Sequence, residues 1–376
     1  MRKKSVAISD PFARRYGVRL MVAVVSLSLF GLLMLYSASY YTAAYKYDDA
    51  FYYVKKQAVA FVLAVAAMAG VAAMPLGWIR KAQIPLLVLS YVLMGLVFIP
   101  ALGVESYGAR RWLNLGFFSM QPSEIAKFAF VLSAAAYLDR RGADTFRRLL
   151  PPLLAGVSFC VLLLLEPNMS VTMIMLGLTL MMLLAGGAKG KHFALLALPI
   201  LVAVPVLIAI EPYRLQRLLA FVDPWASPKG EGYQLIQSYY ALGSGGLFGV
   251  GFLHSRQKYM FLPFAESDFI FSVIGEEWGL IGAVLVMAAF VYVVYLGLQV
   301  AAHASRRFEA LLAYGITSVI ALQTLLNVAV VTGCVPPTGV PLPFVSFGGS
   351  SLVCFFAATG VLVNIDRVNA REGFIQ

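Results

Sequence analysis

Long unbroken apolar runs, separated by short polar turns, make up most of this 376-residue chain. A helix needs roughly 20 apolar residues to cross the hydrocarbon core of a bilayer. Ten runs meet or approach that length: residues 18–40, 52–74, 82–100, 121–138, 149–166, 169–186, 193–210, 268–299, 309–331 and 349–364. The short alternating segments of a membrane β-barrel are not the pattern here. The pattern predicts an all-α integral membrane protein, a polytopic bundle of about ten transmembrane helices. Pro and Gly interrupt some runs, which neighbouring helices can tolerate. The first run is too long for a signal-peptide core and lacks a clear small-residue cleavage site, so it reads as a retained span. No repeat, low-complexity tract or soluble appendage breaks the pattern. Residues 1–376 therefore read as one transmembrane domain, with a tail at 1–17 and a large extracytoplasmic loop at 211–267, between spans seven and eight.

Composition agrees. The chain is 61% hydrophobic and 12% charged, against roughly 45–50% and 25% for soluble domains. That excludes a water-soluble globule and a disordered chain. The net charge of +11 would suit a nucleic-acid ligand, but its distribution gives another answer. Placing the N-terminal tail, alternate turns and the C-terminus inside puts 18 basic and six acidic residues there. Arg2, Lys3, Lys4, Arg14 and Arg15 lie in the tail, and Arg140, Arg141, Arg147 and Arg148 in one turn. The outer half keeps 11 basic and 12 acidic residues. This is the positive-inside bias, predicting N-in and C-in topology and no nucleic-acid partner. Cys160, Cys334 and Cys354, like His192, His254 and His303, are isolated and suggest neither a disulfide framework nor a zinc site.

Candidate chemistry gathers in four outer clusters. The first is Gly108-Ala109-Arg110-Arg111-Trp112, then Gln121-Pro122-Ser123-Glu124 and Lys127. Adjacent guanidinium groups suit a phosphate-bearing headgroup, while Arg and Trp can also be interfacial anchors. Pro122 suits a first helical position, with Glu124 in the first turn and within i+3 reach of Lys127. That pair can be structural or part of a site. The second cluster is the Glu166-Pro167-Asn168 turn, where a carboxylate ending an apolar run is costly unless solvated or paired.

The third cluster lies in the long loop, which keeps Arg214, Arg217, Lys229, Arg256 and Lys258 against the topological bias. Its glycines, at 243, 245, 246, 249 and 251, lack the Lys-Ser/Thr of a nucleotide P-loop. Ser255, Arg256 and Lys258 are candidates to hold a pyrophosphate. Asp268 precedes a long apolar run, either as a helix N-cap or as a general base at the membrane surface. Glu276 and Glu277 lie roughly 12–13 Å deeper along that helix, as functional groups or helix–helix hydrogen-bond partners. The fourth cluster, Pro336 to Ser351, holds four prolines and a Gly-Gly pair. No regular spanning helix fits it, so it is expected to line a cavity, with Ser350 a candidate substrate contact.

Read together, GARRW with QPSEIAK, GYQLIQSYYALGSGGLFGVGF with SRQK and DFIFSVIGEE, and TGVPLPFVSFGGSS resemble the SEDS family of bacterial cell-wall proteins (shape, elongation, division and sporulation). Their order and spacing match over about residues 15–368. SRQK is closer to the division and sporulation branch, FtsW/SpoVE, than to the elongation branch, RodA. The resemblance implies a peptidoglycan glycosyltransferase of the cytoplasmic membrane, polymerising lipid II at its outer face beside a class B penicillin-binding protein, a transpeptidase. It implies that Asp268 deprotonates the acceptor sugar 4-hydroxyl, and that Arg110, Glu124, Lys127 and the SRQK cations serve function. No cofactor is required, and a divalent cation, Mg or Mn, bridging Asp268 and the pyrophosphate is left open. Three positions depart from the family pattern: Asn168 where Asp is frequent, Phe264 where Glu commonly follows Leu-Pro, and Phe347 for Tyr. A lipid II flippase or transporter and a RodA-like polymerase are the alternatives. The polar residues concentrate at the outer face, which favours the enzyme over a transporter.

Overall fold

A computed structural model describes residues 16–106, 109–114, 116, 119–193 and 212–372. The tail cations Arg2, Lys3, Lys4, Arg14 and Arg15, Gly108, and the predicted span 193–210 beyond its first residue lie outside the described residues. Helices run over α1 (Tyr16–Tyr47), α2 (Tyr52–Ala73), α3 (Leu76–Lys81), α4 (Gln83–Leu96), α5 (Pro122–Arg141), α6 (Phe146–Leu165) and α7 (Met169–Ala185). They continue as α8 (Pro212–Val222), α9 (Tyr233–Gly245), α10 (Ile270–Ala302), α11 (Arg307–Val331) and α12 (Gly349–Glu372). Among the described residues, six helices (α1, α2, α6, α10, α11 and α12) are long and apolar enough to cross a membrane, and α4 and α7 are shorter apolar helices.

Two features depart from the sequence expectation. The loop after residue 211 carries the helices α8 and α9. An otherwise helical chain also holds a three-stranded antiparallel sheet, β1 (Gly103–Ser106), β2 (Ala109–Asn114) and β3 (Ser119–Met120). Val104 lies opposite Trp112, and Leu113 opposite Met120. The register shifts between Val104 and Glu105: Glu105 lies opposite Arg110 and Val104 opposite Trp112, so Arg111 is the extra residue of a β-bulge in β2. A bulge re-aims the side chain it carries, and here it parts two adjacent arginines.

The bundle is built round α5, α11 and α12. Small buried residues of α5, including Ala126, Ala129, Ala134 and Ala135, let its neighbours approach closely, as helix interfaces in membranes require. α10 breaks at Gly279, whose φ of 66° and ψ of −166° interrupt the hydrogen-bond ladder. The segment after α9 repairs the break. Val250 and Gly251 donate to the carbonyls of Glu276 and Glu277 at 2.9 and 3.0 Å, and Leu280 donates to Gly246 at 2.9 Å. The loop glycines thus serve a backbone approach, the requirement that freed polar groups in a membrane helix impose.

Gly249 is the tightest point of this repair. Its φ is +82°, and a Cβ there would stand 2.1 Å from the Glu277 carbonyl oxygen. Gly249→Ala is expected to cost about 2–4 kcal/mol, combining strain at positive φ with a backbone clash. Gly243→Ala, in a helix with nothing near its Cβ, should be neutral or stabilising. Thermal unfolding of the two variants in detergent checks this, and equal midpoints would refute it.

Candidate active site

Asp268 lies in a tight turn. The Phe264 carbonyl accepts from the amides of Ser267 and Phe269 at 3.1 and 3.2 Å, and the Glu266 carbonyl accepts from Phe347 at 3.0 Å. The irregular segment 336–348 forms the bed beneath this turn. Ser346 Oγ donates to the Ser267 carbonyl at 2.6 Å and accepts from the Leu342 amide at 2.8 Å. Asn327 Nδ2, from α11, bridges the carbonyls of Asp268 and Val340 at 2.8 and 2.7 Å. A Cβ on Gly339 would lie 2.7 Å from Asp268 Oδ2, so the carboxylate rests directly on backbone. Gln57 of α2 fixes the far end of the bed, donating to the Ser346 carbonyl and accepting from the Gly348 amide, both at 3.1 Å. Gln57, next to Lys55 and Lys56, and Asn327, just after Gln323 and Thr324, are polar residues within predicted spans, and nothing in the sequence showed their shared role.

Asp268 is not the helix cap. Phe269 holds the N-cap position of α10, with no side-chain cap bond. Burial, then the nearby Glu266, pushes the Asp268 carboxyl up to about 7, while Arg111, Arg217 and a Ser267 hydrogen bond act in the opposite sense. Two guanidinium groups from separate elements thus act on one carboxylate that holds its proton near neutrality. Arg111 reaches in from β2 and is oriented by the carbonyls of Glu166, at 3.4 Å, and Pro167. Arg217 comes from α8, donating to the Pro337 carbonyl at 3.1 Å and pairing with Glu231 at 3.4 Å. Arg217 was visible in the sequence as an outer cation, though nothing there tied it to Asp268.

The other sequence candidates divide. Arg110 pairs at 3.1 Å with exposed Glu105, and Trp112, half-buried, lies opposite Val104. Glu124 and Lys127 form a buried pair at 2.9 Å. Ser351 donates to Glu124 at 2.8 Å, and Lys127 also meets Gln323. That network ties α5 to α11 and α12. Ser350 is half-buried, its Oγ 3.5 Å from the Gln121 amide. In SRQK, Lys258 is 0% exposed, paired with Glu277 at 2.8 Å and bonded to Ser37 at 3.1 Å. Ser255 donates to Glu276, and the Arg256 amide donates to the same residue at 2.8 Å. Only the Arg256 side chain of these three is exposed. These residues lock the loop to α10 and α1.

The turn after α6 is the least satisfied part of the region. Glu166 is buried, its carboxyl pushed up to about 8 by burial with a small opposing effect from Arg111. Among the described residues, neither carboxyl oxygen has a hydrogen-bond partner. Asn168 caps α7, its Oδ1 accepting from the Val171 amide at 3.4 Å, a role an amide fills without an acid. Among the described residues, no three His, Cys, Asp or Glu side chains gather as a metal cage.

Comparisons with known proteins follow the same architecture. A family model for FtsW, RodA and SpoVE, described as "Cell cycle protein", matches residues 18–371. Stage V sporulation protein E of Bacillus subtilis (strain 168) is 38% identical over 354 residues, 93% of this chain and 96% of that protein. A probable peptidoglycan glycosyltransferase FtsW of Geobacter sp. (strain M18) is 38% identical, covering 92% and 95% of the two chains. A chain from a structure on the coordination of polymerization and crosslinking by a peptidoglycan synthase complex superposes with a TM-score of 0.79. It is 28% identical, over 94% of this chain and 98% of that one. The crystal structure of the Thermus thermophilus rod shape determining protein RodA superposes at 0.68, with 25% identity over 93% and 95%. A match over nearly its whole length makes the chain a polytopic membrane protein of the FtsW/RodA/SpoVE family.

Proposed function

We infer that this chain is a peptidoglycan glycosyltransferase that polymerises lipid II at the outer face of the cytoplasmic membrane, in cell division or spore cortex synthesis. One observation carries the mechanism: Asp268 is buried in a turn bedded on Gly339, Asn327 and Ser346, with Arg111 and Arg217 from separate elements near enough to act on its carboxylate. Asp268 accepts the proton of the acceptor sugar 4-hydroxyl. The freed oxygen attacks the donor anomeric carbon as the bond to the pyrophosphate oxygen breaks. The configuration inverts, and the polyprenyl pyrophosphate departs with the electron pair. Arg111 and Arg217 offset the charge that develops on it, in a setting where preorganised cations are most effective. A divalent cation, Mg or Mn, would be held by Asp268 and Glu266 with substrate phosphate oxygens, neutralising leaving-group charge.

The proposed topology is ten crossings with an N-in, C-in orientation. The charge partition supports this orientation, which puts Asp268 outside. A class B penicillin-binding protein is its partner, supported by the relative solved within a complex that couples polymerization and crosslinking. A transport reading needs charges along a path through the bilayer, whereas here Lys127 and Lys258 are closed into buried pairs. Full-length protein in liposomes, with its transpeptidase if required, should convert lipid II into glycan strands. Passage of labelled lipid II across the bilayer with no polymer formed would replace this reading with the flippase.

A further inference from the structure

Eight aromatic side chains fall between Tyr36 and Tyr53, where α1 turns into α2. They do not stand apart. Tyr47 stacks on Tyr52 at 3.7 Å and meets Tyr53 edge-on at 5.8 Å, and Tyr36 stacks on Phe51 at 4.9 Å. Tyr53 meets Phe347 edge-on at 5.0 Å, and the Phe347 amide is bonded to the Glu266 carbonyl, two residues before Asp268. Tyr47, Tyr52, Tyr53 and Phe347 thus form a series of ring contacts that runs from the turn before Asp268 outward to Tyr47, 46% exposed, beside Tyr45 at 73% and the separately stacked Phe51 at 50%.

We propose that the outer ends of α1 and α2 form a carbohydrate platform, on which the growing glycan strand lies as it leaves Asp268. This rests on the glycosyltransferase reading. A pyranose ring presents an apolar face of C–H groups that packs on an aromatic ring, while its hydroxyls and N-acetyl groups seek polar contacts. Tyrosine offers both a flat apolar body and a hydroxyl. Lys46 and the Lys55–Asp49 pair, 2.9 Å apart, border the rings and add charged contacts. An interfacial belt would spread separate rings round the perimeter at headgroup depth. Tyr292 and Tyr295, exposed and stacked on each other further along α10, are a pair of that kind, with no ring contact leading on to the Asp268 turn among the described residues. Rings whose contacts lead to the base call for a different ligand, one as long as the path.

The test uses the full chain in liposomes with lipid II, reading strand length on gels and the rate of the first coupling. Tyr45→Ala/Tyr47→Ala should shorten the strands about three- to tenfold, the weight of one or two lost aromatic contacts, with the first coupling unchanged. Tyr45→Phe/Tyr47→Phe should retain most of the length. The single Tyr45→Ala, at a highly exposed position that the fold does not need, must shorten strands in the same direction if the double variant misfolds. Strands of wild-type length from the alanine variants overturn the platform alone. Equal shortening by Tyr292→Ala/Tyr295→Ala also overturns it, because seating in lipid would then be the cause. No polymer from the wild type overturns the glycosyltransferase reading, and the platform with it.

Discussion

Asp268→Asn is expected to lower the rate of glycan polymerisation about 10²–10⁴-fold, the range for loss of a positioned general base, without loss of fold. The amide matches the carboxyl in shape and can still meet Ser267. Asp268 is held above the ordinary carboxylate range by burial and by Glu266, so a neutral group there removes a desolvation cost and a repulsion. The variant should therefore unfold at or above the wild-type temperature while making almost no polymer. Near-wild-type polymer from a folded Asp268→Asn protein would end its assignment as the base.

The same environment sets a pH dependence. The base must be deprotonated to work, and its carboxyl titrates at about 7. Below that value the acid form accumulates, so kcat/KM should fall about tenfold for each further pH unit. Glu266 raises the Asp268 pKa and the two arginines lower it. Glu266→Gln should consequently move the acid limb to lower pH, and Arg217→Met to higher pH. A limb that stays in place in both variants would mean that another group governs it.

Much of the membrane architecture was legible because a bilayer offers the backbone no water. An apolar run of sufficient length has to become a helix, and nine of the ten predicted runs coincide with helices among the described residues. The sheet at 103–120 was not legible, since its strands are short and mostly polar, with pairing set by partners along the chain. That gap carried over to the site. Read linearly, Arg110 and Arg111 look like one clamp, yet Arg110 pairs with Glu105 across the sheet while Arg111, the extra residue of the bulge, donates to the carbonyls of Glu166 and Pro167. Cations could be counted by side of the membrane, but a count does not reveal which ones are neutralised within the bundle. Gln323 meets Lys127 across 196 positions of sequence, and Ser37 meets Lys258 across 221. No spacing rule reaches so far. Asp268 stands out in the sequence as the carboxylate that opens a long apolar run, but the bed beneath its turn comes from Asn327 and Ser346, 59 and 79 positions from their partners.

Lys258 distinguishes a buried structural cation from a substrate clamp. Its ammonium is 0% exposed, 2.8 Å from Glu277 and 3.1 Å from Ser37, with the Tyr40 ring at 5.1 Å. Glu277 accepts further bonds from Ser37 at 2.6 Å and the Ser255 amide at 3.3 Å. Lys258→Met keeps the side-chain volume but strands the Glu277 carboxylate in the interior, a loss that typically costs about 3–5 kcal/mol. Lys258→Met/Glu277→Gln should recover most of that stability, because no buried charge is left without its counterpart. Thermal unfolding with and without the second substitution measures the difference. A lysine that held the pyrophosphate would behave otherwise: Lys258→Met would lower kcat/KM at an unchanged unfolding temperature, and the second substitution would not rescue it. Buried pairing predicts the reverse, with the rate per folded molecule preserved and the folded fraction reduced. That outcome would leave Arg111 and Arg217, each held by backbone carbonyls, as the cations proposed to meet the substrate's phosphates.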